Sequence, residues 1–380
     1  MSERSISGID PATGRSIVVD IEDGKIAGIR KIASRETYYL SAGLVDLQVN
    51  GFGGIDLNDA SLTPARLHKL AQHLASLGVT TFLPTLITAS ERDIVARLET
   101  IAAARREFPL LEWMVPFVHI EGPSISPTDG PRGAHPREHV RVPDLAEFDR
   151  WQAVSGNLVG MVTLSPHDDQ APAYIAAVAA RGVHISLGHT DATPLQIKAA
   201  VDAGARLSTH LGNGAAATLP RHPNFIWTQL ADDRLTATFI ADSHHLPADA
   251  FKAMVRAKGV DRSILVSDAA ALAGMPPGIY DQPIGGRVEL SAEDRLSMAG
   301  TPYLAGAARS LADDVATAVG LGSLSLTDAL AMATRNPGRF TKGRGGLEVA
   351  AAADLIRFAW QPGDRTLTIE TTLVRGERQG

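Results

Sequence analysis

Between about residue 42 and residue 268 the chain alternates short apolar runs, rich in β-branched residues, with longer stretches of helical period. The runs are Leu44 to Val49, Val79 to Pro84, Trp113 to Ile120, Leu158 to Leu164, Val183 to Leu187, Arg206 to Thr209, Leu235 to Ala241 and Ile264 to Ser267. Helix punctuation lies between them. Thr63-Pro64 opens a segment that Gly78 closes, and Thr193-Pro194 opens the periodic stretch Ala192 to Ala203. Eight strands in such alternation is the count of a closed (β/α)₈ barrel, a TIM barrel of the α/β class. An open doubly wound sheet is the competing architecture, but no glycine-rich phosphate fingerprint follows the first strand. Ser310 to Val319, closed by Gly320, and Leu326 to Thr334 supply the last helices.

The two ends differ in texture. Turn signals at Asp10 to Gly14 and Glu22 to Lys25 separate the β-type runs Ser16 to Ile21 and Ile26 to Ile32. Near the C-terminus Asp354 to Phe358 and Thr366 to Val374 flank a turn at Gln361 to Asp364. Each set is too thin to stand alone. The pattern predicts one small discontinuous β-sandwich domain, residues 1–41 with 345–380, beside a barrel spanning 42–344.

Composition narrows the chemistry. With 380 residues, 44% hydrophobic and 21% charged, the chain is ordinary globular material with room for a large core. A net charge of -6 gives no general attraction to nucleic acid or an anionic membrane, so an anionic ligand must be met by local arginines and histidines. There is no cysteine, which excludes disulfides, thiolate zinc sites and cysteine nucleophiles and fits a reducing cytoplasm. Met1-Ser-Glu-Arg opens no apolar signal region, and no apolar run approaches the ~20 residues of a membrane span.

In a (β/α)₈ barrel the chemistry lies at the C-terminal strand ends. Those ends carry Gln48 and Asn50 (strand 1), Glu121 (strand 3), His189 (strand 5), His210 (strand 6), Asp242 to His245 (strand 7) and Asp268 (strand 8). Loops after strands are polar in any protein, so the list alone decides little. His189 and His210 are more specific: they occupy equivalent places in consecutive strand-helix units and so emerge as neighbours on one rim. Singly, each would be a hydrogen-bonded loop residue; together they form a candidate metal site. Glu121, turned by Gly122-Pro123, completes a carboxylate-plus-two-imidazole set that suits a catalytic zinc or ferrous ion with a place left for water. Such an ion lowers the pKa of its water to about 7. Asp268, in Leu-Val-Ser-Asp-Ala, would accept and return the proton, although an aspartate after a strand is more often an N-cap.

These residues, in this order, resemble the N-acetylglucosamine-6-phosphate deacetylases of the amidohydrolase superfamily. The resemblance runs over essentially the whole chain: Ser-Ala-Gly-Leu-Val-Asp-Leu-Gln-Val-Asn-Gly-Phe-Gly-Gly, His-Ile-Glu-Gly-Pro, Gly-Ala-His, Gly-His-Thr, Thr-His-Leu, Ile-Ala-Asp with a following histidine, Ser-Asp-Ala, Leu-Ala-Gly and Ala-Thr-Arg-Asn-Pro. It implies a phosphorylated amino-sugar substrate, one divalent ion per subunit on Glu121, His189 and His210, zinc foremost with iron(II) as the other choice, and a homodimer. It implies that His135, beside Ala134, meets the acyl carbonyl, and that Asp268 is the acid-base. It further implies that the Asn213 and Gly214 amides hold the phosphate and that Arg221 reaches it from the partner subunit. His245, with Asp242, Ser243 and His244 beside it, matches a phosphate or sugar contact, and Leu304, Ala305 and Gly306 match a segment closing over the sugar. Many amidohydrolases carry His-x-His on strand 1 and a lysine after strand 4. Here Gln48-Val-Asn50 and Thr163-Leu164-Ser165 stand there, so a second ion has no ligands, and Gln48 and Asn50 are expected on the pocket floor.

The sequence also departs from the family. Gly212 to Ala217 strips the phosphate loop of bulk, Ser165-Pro166-His167-Asp168 replaces an alanine-proline-glutamate, and Ser243-His244 replaces a glycine-led pair. Hydrolysis of a different N-acyl amino sugar or N-acyl amine therefore stays open, as does a non-catalytic binding role. A binding protein, however, would be expected to have lost part of the ligand set.

Overall fold

A computed structural model describes residues 4–282, 286–301 and 303–379. Barrel strands 1 to 8 are Leu44–Val49, Val79–Ile87, Val118–Glu121, Val159–Leu164, His184–Leu187, Leu207–Ser208, Thr236–Phe239 and Ser263–Leu265, joined side by side in chain order. Alternation along them sorts the side chains. Phe82, Ile120, Val162, Leu187 and Phe239 face the helices, while Leu83, Met161, Leu207, Ile264 and Val266 fill the barrel floor with Val45 and Leu47. Above that floor lies a polar layer in which His119 Nε2 meets Thr163 Oγ1 at 2.8 Å and Thr209 Oγ1 lies 2.6 Å from Thr163 Oγ1 and 2.5 Å from Ser186 Oγ.

Strands 1 and 8 close the ring by a different joint. Val49 bridges Ala269, and the amides of Asn50 and Gly51 both donate to Ala269 O, at 2.9 and 3.0 Å. Lower down, Asp46 Oδ1 accepts from the amides of Gln48 and Ser267, each at 3.2 Å. Burial pushes the Asp46 carboxyl up to about 7 against the pull of hydrogen bonds from Ser267 and Gln48.

Local signals place the helices as the sequence predicts. Thr63 caps Pro64–Ser76, and Thr193 caps Pro194–Ala203 with a capping box closed by Gln196. Ser310 caps Leu311–Gly322, which runs past Gly320 because the left-handed turn falls at Ser323. The run from Trp113 to Ile120 proves to be two elements. Pro109 nucleates a short helix to Met114, and strand 3 begins only at Val118. Trp113 packs under Arg344 and donates Nε1 to Asp354, so its apolar neighbours belong to a helix end.

The termini join in one continuous sheet of seven strands, in the order Glu377–Gln379, Thr368–Val374, Leu355–Ala359, Tyr39–Ala42, Ser5–Ile9, Ser16–Glu22, Lys25–Lys31. It folds back on itself where Lys25 bridges Ala352, over a core that includes Val19, Ile26, Leu40, Leu355 and Leu373. A three-stranded antiparallel sheet that the sequence pattern does not reveal, Gly278–Gln282, Gly286–Leu290 and Leu296–Met298, follows strand 8. No helix among the described residues is long and apolar enough to cross a membrane.

Candidate active site

Glu121 ends strand 3, and the chain turns at once. Gly122 has φ 86° and sits where a Cβ would lie 2.1 Å from Thr88 Oγ1, so only glycine fits. The Glu121 side chain points into the barrel mouth, 2% exposed. Its Oε1 lies 3.0 Å from His210 Nε2 and 3.3 Å from His189 Nε2, and accepts from Gln48 Nε2 at 3.0 Å. His189 and His210 are 8% and 3% exposed, and their rings meet edge to face at 4.9 Å. Burial pushes the Glu121 carboxyl up, but hydrogen bonds from both histidines outweigh it and hold the group well below the usual carboxylate range.

The donor atoms fit a cation. His189 Nδ1 donates to Pro131 O at 2.9 Å, so in the neutral imidazole that a metal ligand requires, Nε2 is the nitrogen whose lone pair stands beside the carboxylate. His210 Nδ1 is buried without a partner. One ligand atom from each of Glu121, His189 and His210 falls within 4.8 Å of the others, the spacing a single ion bridges. The backbone is held to this purpose: His189, His210 and Asp268 have φ of 47°, 27° and 48°, left-handed conformations that turn each side chain in at its strand end.

Asp268 faces the triad. Asn50 Nδ2 donates to its Oδ1 at 2.7 Å, and burial together with the Glu121 charge raises its carboxyl to about 6. His135 packs on the His189 ring, centroids 4.3 Å apart, with Nδ1 2.9 Å from Thr88 Oγ1. Burial, then the neighbouring His189 charge, depresses His135 to about 3, so it is neutral at working pH. With Nδ1 engaged by Thr88, Nε2 is the ring nitrogen left without a protein partner among the described residues.

These groups border one pocket of about 420 Å³, which also takes in Ala134, Asn213, Gly214, His245 and Leu304 to Gly306. Gly214, at φ 57°, lies against the His189 ring, where a Cβ would stand 2.8 Å from Nδ1. At Gly214 the lack of a side chain is thus a packing requirement of the histidine, while Gly212 faces Leu246 and Met254 instead. Gln48 lies beneath the pocket, bound to Glu121. Asp242 stands behind His245, accepting its amide at 2.9 Å and pairing with its Nδ1 at 2.7 Å. Burial opposes ionisation of Asp242, yet the His245 bond and charge draw it down to about 2.

Ser243, His244 and Arg221 lie outside the lining. At Ser243 the chain takes φ 71°, and His244 turns away to place Nε2 2.8 Å from Glu293 O, in the turn between the second and third strands of the three-stranded sheet that borders the pocket. Arg221 is exposed on the loop after strand 6. Six lining residues are not marked by the sequence pattern: Asp56, Asn58 and Ile87, then Gln282 and Val288 of the three-stranded sheet, which serves as a lid on the pocket, and Tyr303 just beyond it. Only the glycine-rich stretch after strand 1 hints at the first two.

The amidohydrolase family profile matches residues 39–378. The chain is 31% identical to N-acetylglucosamine-6-phosphate deacetylase of Bacillus subtilis, over 89% of this chain and 87% of that one. It is 34% identical to N-acetylgalactosamine-6-phosphate deacetylase of Escherichia coli O157:H7, over 84% and 83%. Among solved structures, N-acetyl-D-glucosamine-6-phosphate deacetylase from Mycobacterium smegmatis, a mutant in complex with N-acetyl-D-glucosamine-6-phosphate, superposes with a TM-score of 0.88 at 27% identity, covering 100% and 99% of the two chains. With a buried Glu-His-His set facing an aspartate at the mouth of a (β/α)₈ barrel, the chain belongs to the amidohydrolase family and, within it, to the branch of the N-acetyl amino-sugar 6-phosphate deacetylases.

Proposed function

We propose that this enzyme hydrolyses the acetamide of an N-acetyl amino-sugar 6-phosphate, N-acetylglucosamine 6-phosphate in first place, to the free amine and acetate. The observation that carries the reading is the single Glu121, His189 and His210 cluster set opposite Asp268 in one pocket. An ion held there, zinc foremost, supplies a Lewis acid for the acyl oxygen and lowers the pKa of a water to about 7. The Nε2 proton of His135 stabilises the charge that develops on the acyl oxygen. Asp268 takes a proton from the attacking water, and the C–N bond breaks as Asp268 passes that proton to the nitrogen. Asn50 keeps the Asp268 carboxylate turned to the reacting atoms. Cleavage of the amide requires Asp268 ionised, so kcat/KM should fall with decreasing pH through a limb at or below about 6, the value to which burial raises this carboxyl. An inflection above pH 7.5 would assign the limb to another group.

No lysine or arginine lines the pocket among the described residues. This supports a phosphate site completed by a second copy of the chain, with Arg221 crossing the interface of a homodimer. Trp227, 55% exposed on the helix after that loop, offers such a copy an apolar contact. Arg221→Ala should raise KM for the phosphorylated sugar roughly tenfold or more, the loss of a charge-assisted hydrogen bond, and leave the unphosphorylated sugar unaffected. The same lack of cations favours a second reading, an N-acyl amine without phosphate. Acetate release from N-acetylglucosamine 6-phosphate, its galacto epimer and unphosphorylated N-acetylglucosamine separates the two: equal turnover with and without phosphate would select the second. The cysteine-free composition supports a cytoplasmic location.

A further inference from the structure

One carboxylate of the pocket takes no part in that reaction. Asp56 ends the short hairpin after barrel strand 1, paired across to Gly51, and its Oδ1 accepts from the Asn58 amide at 2.8 Å. Asn58 in turn pins the hairpin to strand 2, donating Nδ2 to Thr85 O at 3.1 Å and accepting from the Ile87 amide at 2.9 Å. Ile87 stands level with Glu121 in the pairing of strands 2 and 3. Asp56, Asn58 and Ile87 therefore form one wall of the cavity, tied by side-chain bonds to the strand beside the metal ligand. In an eight-strand ring strand 2 lies across the mouth from strand 6, which carries the Gly212 to Ala215 loop. The Asn58 amide anchors one Asp56 oxygen, and the other has no hydrogen-bond partner among the described residues; burial raises this carboxyl against the pull of the Arg66 and Arg97 charges.

We propose that Asp56 is a specificity-determining residue whose free oxygen accepts a hydrogen bond from one of the two sugar hydroxyls flanking the acetamide; this rests on the amino-sugar reading above. A carboxylate can only accept, so it recognises donors. Placed near a phosphate it would repel it; across the mouth from the phosphate loop it does not. On a pyranose phosphorylated at C6, the acetamide-bearing C2 lies across the ring from C5. With the phosphate toward strand 6 and the acetamide over the triad, the donors nearest strand 2 are the hydroxyls of C1 and C3. The C4 hydroxyl, where gluco and galacto sugars differ, lies on the phosphate side. Asp56 thus fixes the ring against rotation about the acetamide without reading the C4 configuration.

The test is steady-state kinetics of the full-length enzyme, wild type and Asp56→Ala, on N-acetylglucosamine 6-phosphate and on its 1-deoxy and 3-deoxy analogues. Asp56→Ala should raise KM roughly tenfold or more on the parent with kcat within about threefold, as loss of uniform binding requires. One deoxy analogue should cost the wild type the same factor and cost Asp56→Ala nothing further. The gluco-to-galacto preference should not move. Losses that simply add on both analogues, or an altered C4 preference, would overturn the assignment. Asp56→Asn keeps an acceptor for the Asn58 amide and repeats the cycle with the hairpin intact, so a misfolded alanine variant cannot imitate the result. Wild-type enzyme that releases no acetate from the parent sugar would instead reject the amino-sugar reading itself.

Discussion

Asp268→Asn should lower kcat roughly 10²–10⁴-fold, the range a positioned acid-base group contributes, while the protein still retains one ion per chain. Asparagine preserves the shape and can still accept the Asn50 hydrogen bond, now at 2.7 Å. It can neither take a proton from water nor return one to the leaving nitrogen. Because Asp268 is not among the residues converging on the ion site, metal analysis and kcat should separate. The cost should fall on kcat and kcat/KM alike, the signature of an interaction made in the transition state. Retention of near wild-type turnover would remove Asp268 from the mechanism.

Glu121→Gln should be as damaging by another route. Glu121 Oε1 is the one point on which His189, His210 and Gln48 all converge, and it carries the only negative charge of the ligand set. Without that charge the two imidazoles offer a dication a neutral site, so the variant should purify nearly free of metal and lose activity by about 10³-fold or more. Thermal unfolding distinguishes this from misfolding. Zinc added to chelator-treated wild type should raise its midpoint and restore activity, since an ion that binds only the native state stabilises it by mass action. The variant should show neither response and should melt below the chelated wild type, because the two histidines hold the Glu121 carboxylate at a net gain that glutamine forfeits, yet it should still unfold in one cooperative transition. A variant that keeps a full ion would place the metal elsewhere.

Much of this site was legible in sequence because strand ends set its geometry. His189 and His210 follow consecutive parallel strands, and that register alone makes them neighbours. The resemblance to known deacetylases placed His135, whose distance along the chain from the triad hides its stacking on His189. The barrel strands showed through because, buried on both faces, they read as plain apolar runs. The same rule misled at Trp113, where apolar residues belong to a helix end abutting the terminal sheet. The sheet over the pocket escaped notice because Gly278–Gln282 alternates half-buried and exposed positions and Gly286–Leu290 buries only Val288 and Leu290. The positive φ values at His189, His210 and Asp268 leave no mark in composition, since any loop histidine or aspartate looks the same on paper. Ser243 and His244 sit in the stretch expected to touch substrate, yet the chain reverses there and spends His244 on the lid.

The joint between strands 1 and 8 gives the molecule a built-in fuse. Where other neighbours share a ladder, this pair is tied by Ala269, the Asp46 carboxylate and the Asn50–Asp268 bond, so the proposed acid-base Asp268 is itself part of the clasp. Partial opening there displaces Asp268 while the remaining staves stay zipped. In rising urea, turnover should therefore fail ahead of the loss of helical circular dichroism, and a substrate analogue spanning the clasp should bring the two curves together.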